Sequence, residues 1–228
     1  VGHGTVTSAS TERAAEGTTF EASCYTDPLA LEHLTGSLST TITHVGTHDW
    51  PGPVGLRFTT KYDNVAPLLN LPHAGRTRVR ISVNADEVAN RFEGGTARLP
   101  QRISALRELA RHGYRVGLTI APIMPVPDWR DAYGSLLRDV ATAVADVPDL
   151  DLTVECITHR FTETSKDVLL GWYPRTKLEM DEEARTRKFG KYGAAKYVYP
   201  KDTMAELRAW FGSALGETLP MARILYWT

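Results

Sequence analysis

The sequence predicts an α/β domain in which a parallel sheet carries helices packed outside it. Three observations predict this. Short apolar runs with strand character alternate along the chain with segments whose apolar residues recur at helical spacing. Each helix between two strands acts as a crossover, which makes the strands parallel. Polar or reactive residues fall where the apolar runs stop: Cys24, Lys61, Ser82 to Asn84, Pro122 and His159. Parallel sheets place their chemistry at those carboxyl ends.

Each element has a local reason. Residues 1–17 are small and polar and read as a flexible lead-in to one domain over 18–228. Thr18–Cys24 is strand-like. Asp27 and Pro28 suit a helix start, Asp as N-cap and Pro at the first helical position. Leu31, Leu34, Leu38, Ile42 and Val45 then share one helical face, and Gly46 is a candidate stop. The run from Trp50 to Pro53 is a turn. Val54–Lys61 is a strand with a short helix after it, ending near Leu69. Arg78–Asn84 alternates, with Val79, Ile81 and Val83 on one side. A helix from Pro100 to His112 carries Ile103, Leu106 and Leu109, and Gly113 ends it. Val116–Ile123 is a buried-type strand, and Asp128 caps a helix bearing Trp129, Leu136, Val140 and Val144. Leu150–His159 is a strand, followed by a helix from about Glu163 to Trp172.

The tail changes character. From Arg187 to Asp202, Phe189, Tyr192, Tyr197 and Tyr199 alternate with basic residues, and Gly190 and Gly193 permit tight turns. This reads as a β-hairpin over about 187–200. Asp202 then caps a last helix, and Arg223 to Thr228 is a final strand.

Composition excludes several classes. The formal net charge of −1 gives no global pull toward nucleic acid or membrane. Two cysteines make no disulfide framework, and they are too few to hold an iron–sulfur cluster or a structural zinc. No metal-ligand spacing, phosphate loop, nucleophile elbow or dinucleotide fingerprint is present. The lack of a leader or long apolar run predicts a cytoplasmic protein with no membrane partner. Residue 1 is valine, which fits a start codon read literally or a chain cut from something longer.

The candidate residues each have a plain alternative. Cys24 is a structural thiol by type, but a strand end beside a helix start lowers a thiol's pKa and faces the pocket. Cys156, in mid-strand, reads as core. Lys61 ends a strand, placed to pair with a carboxylate or phosphate, or simply solvated. Ser82 and Asn84 suit hydrogen bonds to a ligand or capping of the next helix. His159 and Arg160 suit anion or base recognition, or a structural ion pair. Glu21 and Glu155 point off strands and need partners that the sequence does not name. The hairpin's aromatic and basic residues suit bases and phosphates, or packing on the barrel.

Eight ordered blocks carry a resemblance: FEASCYTD, LEHLTGSL, LRFTTKYDNVAPLL, GRTRVRISVNADEV, GYRVGLTIAPI, ITHRFTETSKDVL, YPRTKLEMDEE and KFGKYGAAKYVY. From about Thr18 to Thr228 the chain resembles the later part of the spore photoproduct lyase family. That resemblance implies a partial (β/α) barrel of radical S-adenosylmethionine type missing its first strands, with the hairpin, helix and final strand after it. It implies a DNA-repair lyase that returns the ultraviolet-induced thymine dimer of spore DNA to two thymines. A [4Fe–4S] cluster would cleave S-adenosylmethionine to a 5′-deoxyadenosyl radical, which takes hydrogen from the lesion. By the same resemblance, Cys24 is the hydrogen-donating cysteine. Thr26, Lys61 and Ser82 match contacts to S-adenosylmethionine. Lys191 and Tyr192 match an arginine–tyrosine pair that engages damaged DNA, with lysine keeping the charge and losing the planar fork. The family's Cys-x₃-Cys-x₂-Cys cluster loop has no counterpart here, so no metal ligand is assigned. The chain alone is expected to be inactive and to require an upstream segment of the same protein. The alternatives are a cluster-less module that binds lesions in DNA, or an inactive remnant.

Overall fold

The computed structural model describes residues 17–23, 26–189, 193 and 195–228. The lead-in up to residue 16 and the predicted site residues Cys24, Lys191 and Tyr192 lie outside them. Six strands form one all-parallel sheet: β1 (Thr18–Glu21), β2 (Val54–Thr60), β3 (Thr77–Val83), β4 (Arg115–Ile123), β5 (Leu152–Thr158) and β8 (Arg223–Trp227), side by side in that order. Strands β6 (Thr186–Phe189) and β7 (Ala195–Val198) pair antiparallel as a separate hairpin. The helices are α1 (Glu32–Thr35), α2 (Ser37–Thr47), α3 (Asp86–Phe92), α4 (Leu99–Arg111), α5 (Trp129–Val144), α6 (Glu163–Trp172) and α7 (Lys201–Thr218).

The two faces of the sheet differ in chemistry. Leu56 and Phe58, Val79 and Ile81, Leu118 and Ile120, and Val154 and Cys156 are all buried in one apolar core with residues of α2, α4, α5 and α7. The intervening positions carry Arg57, Arg80, Thr119, Thr153 and Glu155. A parallel sheet covered by helices on both sides is normally apolar on both faces; here the second face is polar and yet largely buried, since Arg80, Thr119 and Thr153 are all below one-tenth exposed. Curvature explains this. Arg80 on β3 bonds Glu155 on β5 at 2.8 Å and also pairs with Glu21 on β1. In a flat sheet, β1 and β5 would stand about 19 Å apart, at about 4.8 Å per strand. Two glutamates cannot bridge that span to one guanidinium unless the sheet curls around it. The sheet is therefore a half-barrel with a charged concave lining.

Several sequence expectations are corrected. The helix expected from Leu31 to Val45 is two pieces, because Gly36 is left-handed at φ 59°. Glu32 folds across the break and accepts the backbone N–H of Leu38 at 2.8 Å and of Ser39 at 3.1 Å. Leu38, Ile42 and Val45 are core, but Leu31 and Leu34 are exposed. Asp27 caps the turn before α1, with Oδ1 accepting the Leu29 N–H at 3.1 Å. Gly46 does not stop α2; it lies inside the last turn, where a Cβ would stand 1.9 Å from the Pro72 carbonyl oxygen. Asp128 makes no side-chain cap for α5. The last helix begins at Lys201, so Asp202 sits within its first turn. Helix α3, rich in acidic residues at its start, was not anticipated.

The hairpin stands on a smaller foundation. Its second strand bridges Phe161 through two backbone hydrogen bonds between Phe161 and Tyr197, at 3.2 and 2.8 Å. Phe161, Met180 and Tyr197 form a core of their own, with the Phe161 and Tyr197 rings stacked at 5.2 Å. Buried Arg185 lies over the Tyr199 ring, 3.7 Å from its centroid, and pairs with Glu179.

Candidate functional site

The carboxyl ends of β1 to β4 gather a connected set of polar side chains. Asp27 ties the first two strands together: its Oδ2 accepts the Thr60 hydroxyl at 2.9 Å and the Lys61 backbone N–H at 2.7 Å. Thr26, one residue earlier, is exposed, and its hydroxyl sits 2.7 Å from that of Ser23. Ser23 has φ 71°, so the chain turns sharply as it leaves β1. Thr26 and Lys61 are thus brought to one rim by Asp27, which the sequence reading used only as a helix cap.

Lys61 is half-buried and ion-paired. Its Nζ lies 2.9 Å from Oε1 of Glu93, whose other oxygen accepts from Arg102 Nη1 at 2.6 Å. Arg102 is fully buried; it also donates to the Ala97 carbonyl at 2.7 Å and to the Ser82 carbonyl at 3.2 Å. Burial works against ionisation of Glu93, but the charges and hydrogen bonds of Lys61 and Arg102 outweigh it and hold the carboxyl below the usual range. A negative carboxylate is then the anchor that orients the lysine at the mouth. Glu93 and Arg102 were missed in the sequence, since nothing local marks a glutamate after a helix as the partner of residues on two other elements.

Ser82 is buried on the concave side of β3, paired in register with Thr119. Asn84 is tied into the framework. Its Oδ1 accepts the Ala85 N–H and the Tyr133 hydroxyl, both at 2.9 Å, and its Nδ2 donates to the Pro122 carbonyl at 2.9 Å. Burial pushes the Tyr133 hydroxyl well above its usual pKa, so it stays a donor. At the end of β5, His159 Nδ1 lies 3.2 Å from Arg185 Nη2. Burial, with the Arg185 charge, lowers its pKa to about 4 and keeps the ring neutral. Arg160 instead donates to the Thr228 hydroxyl at 2.7 Å. Cys156 is core, as expected, with burial pushing its thiol up to about 12.

Two buried polar atoms on the concave face find no partner among the described residues, Arg80 Nε and Thr119 Oγ1. Unpaired buried donors are costly unless something else satisfies them. Together with the hydroxyls of Thr26 and Ser82 and the Lys61 ammonium, they suit a polar cofactor such as S-adenosylmethionine, with its carboxylate, ribose and purine. An iron–sulfur cluster is different. The chain's two cysteines cannot supply three thiolates, and no group of three or more His, Cys, Asp or Glu among the described residues is placed to hold a metal ion.

A curled parallel sheet, helices on its convex side and polar groups at the carboxyl rim define a half-barrel of the kind that builds enzyme sites at strand ends. A family model described as Spore photoproduct lyase matches residues 5–228. The curated Spore photoproduct lyase of Geobacillus sp. (strain Y412MC61) is 42% identical over 217 residues, covering 95% of this chain and 63% of the relative. That of Bacillus subtilis (strain 168) is 43% identical over 217 residues, with 95% and 63% covered. A solved spore photoproduct lyase complexed with dinucleoside spore photoproduct superposes with a TM-score of 0.89 at 40% identity, covering 95% of this chain and 63% of that one. A mutant spore photoproduct lyase with bound AdoMet and dinucleoside spore photoproduct gives the same TM-score of 0.89 at 39% identity. The chain belongs to the spore photoproduct lyase family. It spans 63% of the length of these curated relatives.

Proposed function

We propose that the chain is the carboxy-terminal part of a DNA-repair lyase that binds S-adenosylmethionine and returns the spore photoproduct to two thymines. The observation that carries this reading is the convergence of Thr26, Lys61 and Ser82 on one rim of the half-barrel, in a family with a relative solved holding AdoMet and the dinucleoside lesion. Lys61, oriented by Glu93, meets the cofactor's carboxylate. The hydroxyls of Thr26 and Ser82 take hydrogen-bonding edges, and Asp27 keeps the first two in register. Bound S-adenosylmethionine supplies radical chemistry at this rim; the described residues bind it and shield it from water. Cys24 comes shortly after β1 in the sequence, and the role proposed for it rests on that sequence position and on the family resemblance. It would give the hydrogen atom of its S–H bond to the carbon-centred product radical, and the thiyl so formed would take a hydrogen atom back from 5′-deoxyadenosine, which restores the thiol. Lys191 and Tyr192, which fall between β6 and β7 in the sequence, are proposed to engage the damaged strand.

The test has two arms. In equilibrium dialysis, Lys61→Met is expected to weaken S-adenosylmethionine binding about tenfold or more, the range for a hydrogen bond to a charged group; unchanged affinity removes the cofactor assignment. In the protein with its upstream segment, Cys24→Ala is expected to lower thymine recovery and raise by-products. Normal recovery ends the role given to Cys24, and failure of the unaltered protein to turn over any lesion favours a binding module.

A further inference from the structure

The rim continues past the cofactor site into a second concavity. At the carboxyl ends of β5 and β8, the hairpin and the first turns of α7 enclose a groove of about 640 Å³. Arg160, Lys188, Lys196, Lys201 and Arg208 line it, and none of its lining residues among the described ones is an Asp or Glu. Arg57, Arg78, Arg80, Arg102 and Arg185 each pair with a carboxylate, whereas none of the five that line the groove forms an ion pair among the described residues. On the same helix, Glu206 turns away to Arg130. The groove also has aromatic faces, Phe189, Tyr199 and Trp227, with Phe189 two-thirds exposed at 67%. Finally, the eighteen-residue α7 begins at Lys201, so its positive end opens on the same space.

Five cations without an ion pair among the described residues, on a chain of net charge −1, are a local concentration of positive charge; of them, Arg160 spends one guanidinium nitrogen on the Thr228 hydroxyl. A flat cationic patch would take any anion. Cations set around exposed rings suit a polymer that alternates phosphates with flat bases. The volume falls within the ligand-pocket range of about 300–1,000 Å³, which suits a nucleotide or two of one strand and not a duplex. We infer that this groove seats the single strand that flanks the bound lesion, its phosphates on Lys201 and Arg208 and a base against Phe189. The dinucleoside held by the solved relatives has no flanking strand, so it leaves such a seat unassigned. The identity of the strand rests on the proposed function; the charge and stacking chemistry does not.

The experiment measures binding of a labelled ten-nucleotide oligothymidine between about 50 and 200 mM salt, where phosphate contacts dominate. Each phosphate contact on a single strand contributes about 0.7 to the slope of log affinity against log salt. The double variant Lys201→Gln with Arg208→Gln is therefore expected to flatten the slope by about 1.4 and to weaken low-salt binding at least about tenfold. Both side chains are exposed, so the fold is expected to survive, with an unchanged thermal midpoint as the check. Arg111→Gln with Arg138→Gln, on the outer helices, removes the same charge and should leave the slope alone. Phe189→Ala should weaken binding at least about fivefold, the low end of a lost base stack, without changing the slope. An unchanged slope in the groove variant, or equal loss in the outer-helix control, overturns the inference. So does inorganic polyphosphate competing as well as oligothymidine while Phe189→Ala has no effect, which marks a general anion patch. If the groove variants behave as expected but the unaltered protein binds lesion-bearing and plain oligonucleotides equally, the groove stands and the repair reading fails.

Discussion

The sheet core and the hairpin annex are built on different scales. Around the sheet, buried apolar residues from four strands and several helices merge into one cluster. Under the hairpin, three buried side chains and one arginine suffice. Removal of water from apolar surface is worth about 25 cal/mol per Å², so the annex holds a small fraction of the sheet's stabilisation. Its connections are correspondingly polar and specific: the bridge from Phe161 to Tyr197, Arg185 stacked on Tyr199, and the Tyr197 hydroxyl donating to Glu163 at 2.9 Å. The lesson is that the proposed cofactor rim sits on the rigid part, while the proposed nucleic-acid groove lies between rigid α7 and the weakly anchored hairpin. Regions of low local stability are where binding elements are commonly drawn from.

The comparison breaks most strongly in the core. Phe211 is fully buried against Trp210 and Tyr133, with ring centroids 4.9 and 5.1 Å away. Phe211→Ala is expected to cost about 4 kcal/mol in chemical denaturation, with sheet and hairpin losing protection together. Next comes the charged joint. Arg102→Met should cost about 3 kcal/mol, since it leaves the buried Glu93 with less compensation. Carboxyl titration followed by NMR should show Glu93 moving upward; no movement would mean that Lys61 alone holds it ionised.

The pH response probes the seam between the two regions. His159 is held at about 4, against 6.5 unperturbed, by burial and by the Arg185 charge. The unfolded chain therefore binds a proton that the folded chain refuses. Stability is full above about pH 6.5 and is lost as pH falls toward 4. At about 1.4 kcal/mol per pKa unit, the ceiling is on the order of 3 kcal/mol. His159→Gln is expected to flatten the stability profile across that window, and a profile identical to the parent's would assign the acid loss to other groups. The smallest global effect sharpens the contrast. Phe161→Ala should move the overall midpoint by less than about 1 kcal/mol, because the annex opens before the sheet does. Hydrogen exchange at the Tyr197 amide should nevertheless accelerate strongly. Equal loss of protection in β3 would show that annex and sheet unfold as one unit.

Much of this architecture was legible from residue order. Alternating apolar periodicity placed the six sheet strands, because each crossover segment fixes the direction of the next strand locally. Gly113, with φ 78°, ended α4 as expected. Lys61 and Ser82 were placed at strand ends correctly, and Cys156 was read correctly as core. Helix breaks were harder. Gly36 and Gly46 look alike in sequence, yet one needs a left-handed backbone and the other the space beside Pro72.

The residue pattern of this chain therefore specifies a parallel α/β domain of the spore photoproduct lyase family, because periodicity and ordered motifs are properties of neighbouring residues. Folding in three dimensions settles the rest. Glu21 and Glu155 needed partners, and both found Arg80, 59 and 75 residues away in the chain. Glu93 became the anchor of Lys61, and five cations were left around one groove with no ion pair among the described residues. Such pairings depend on the curl of the sheet, and curvature is a sum over all its strands that no single segment encodes.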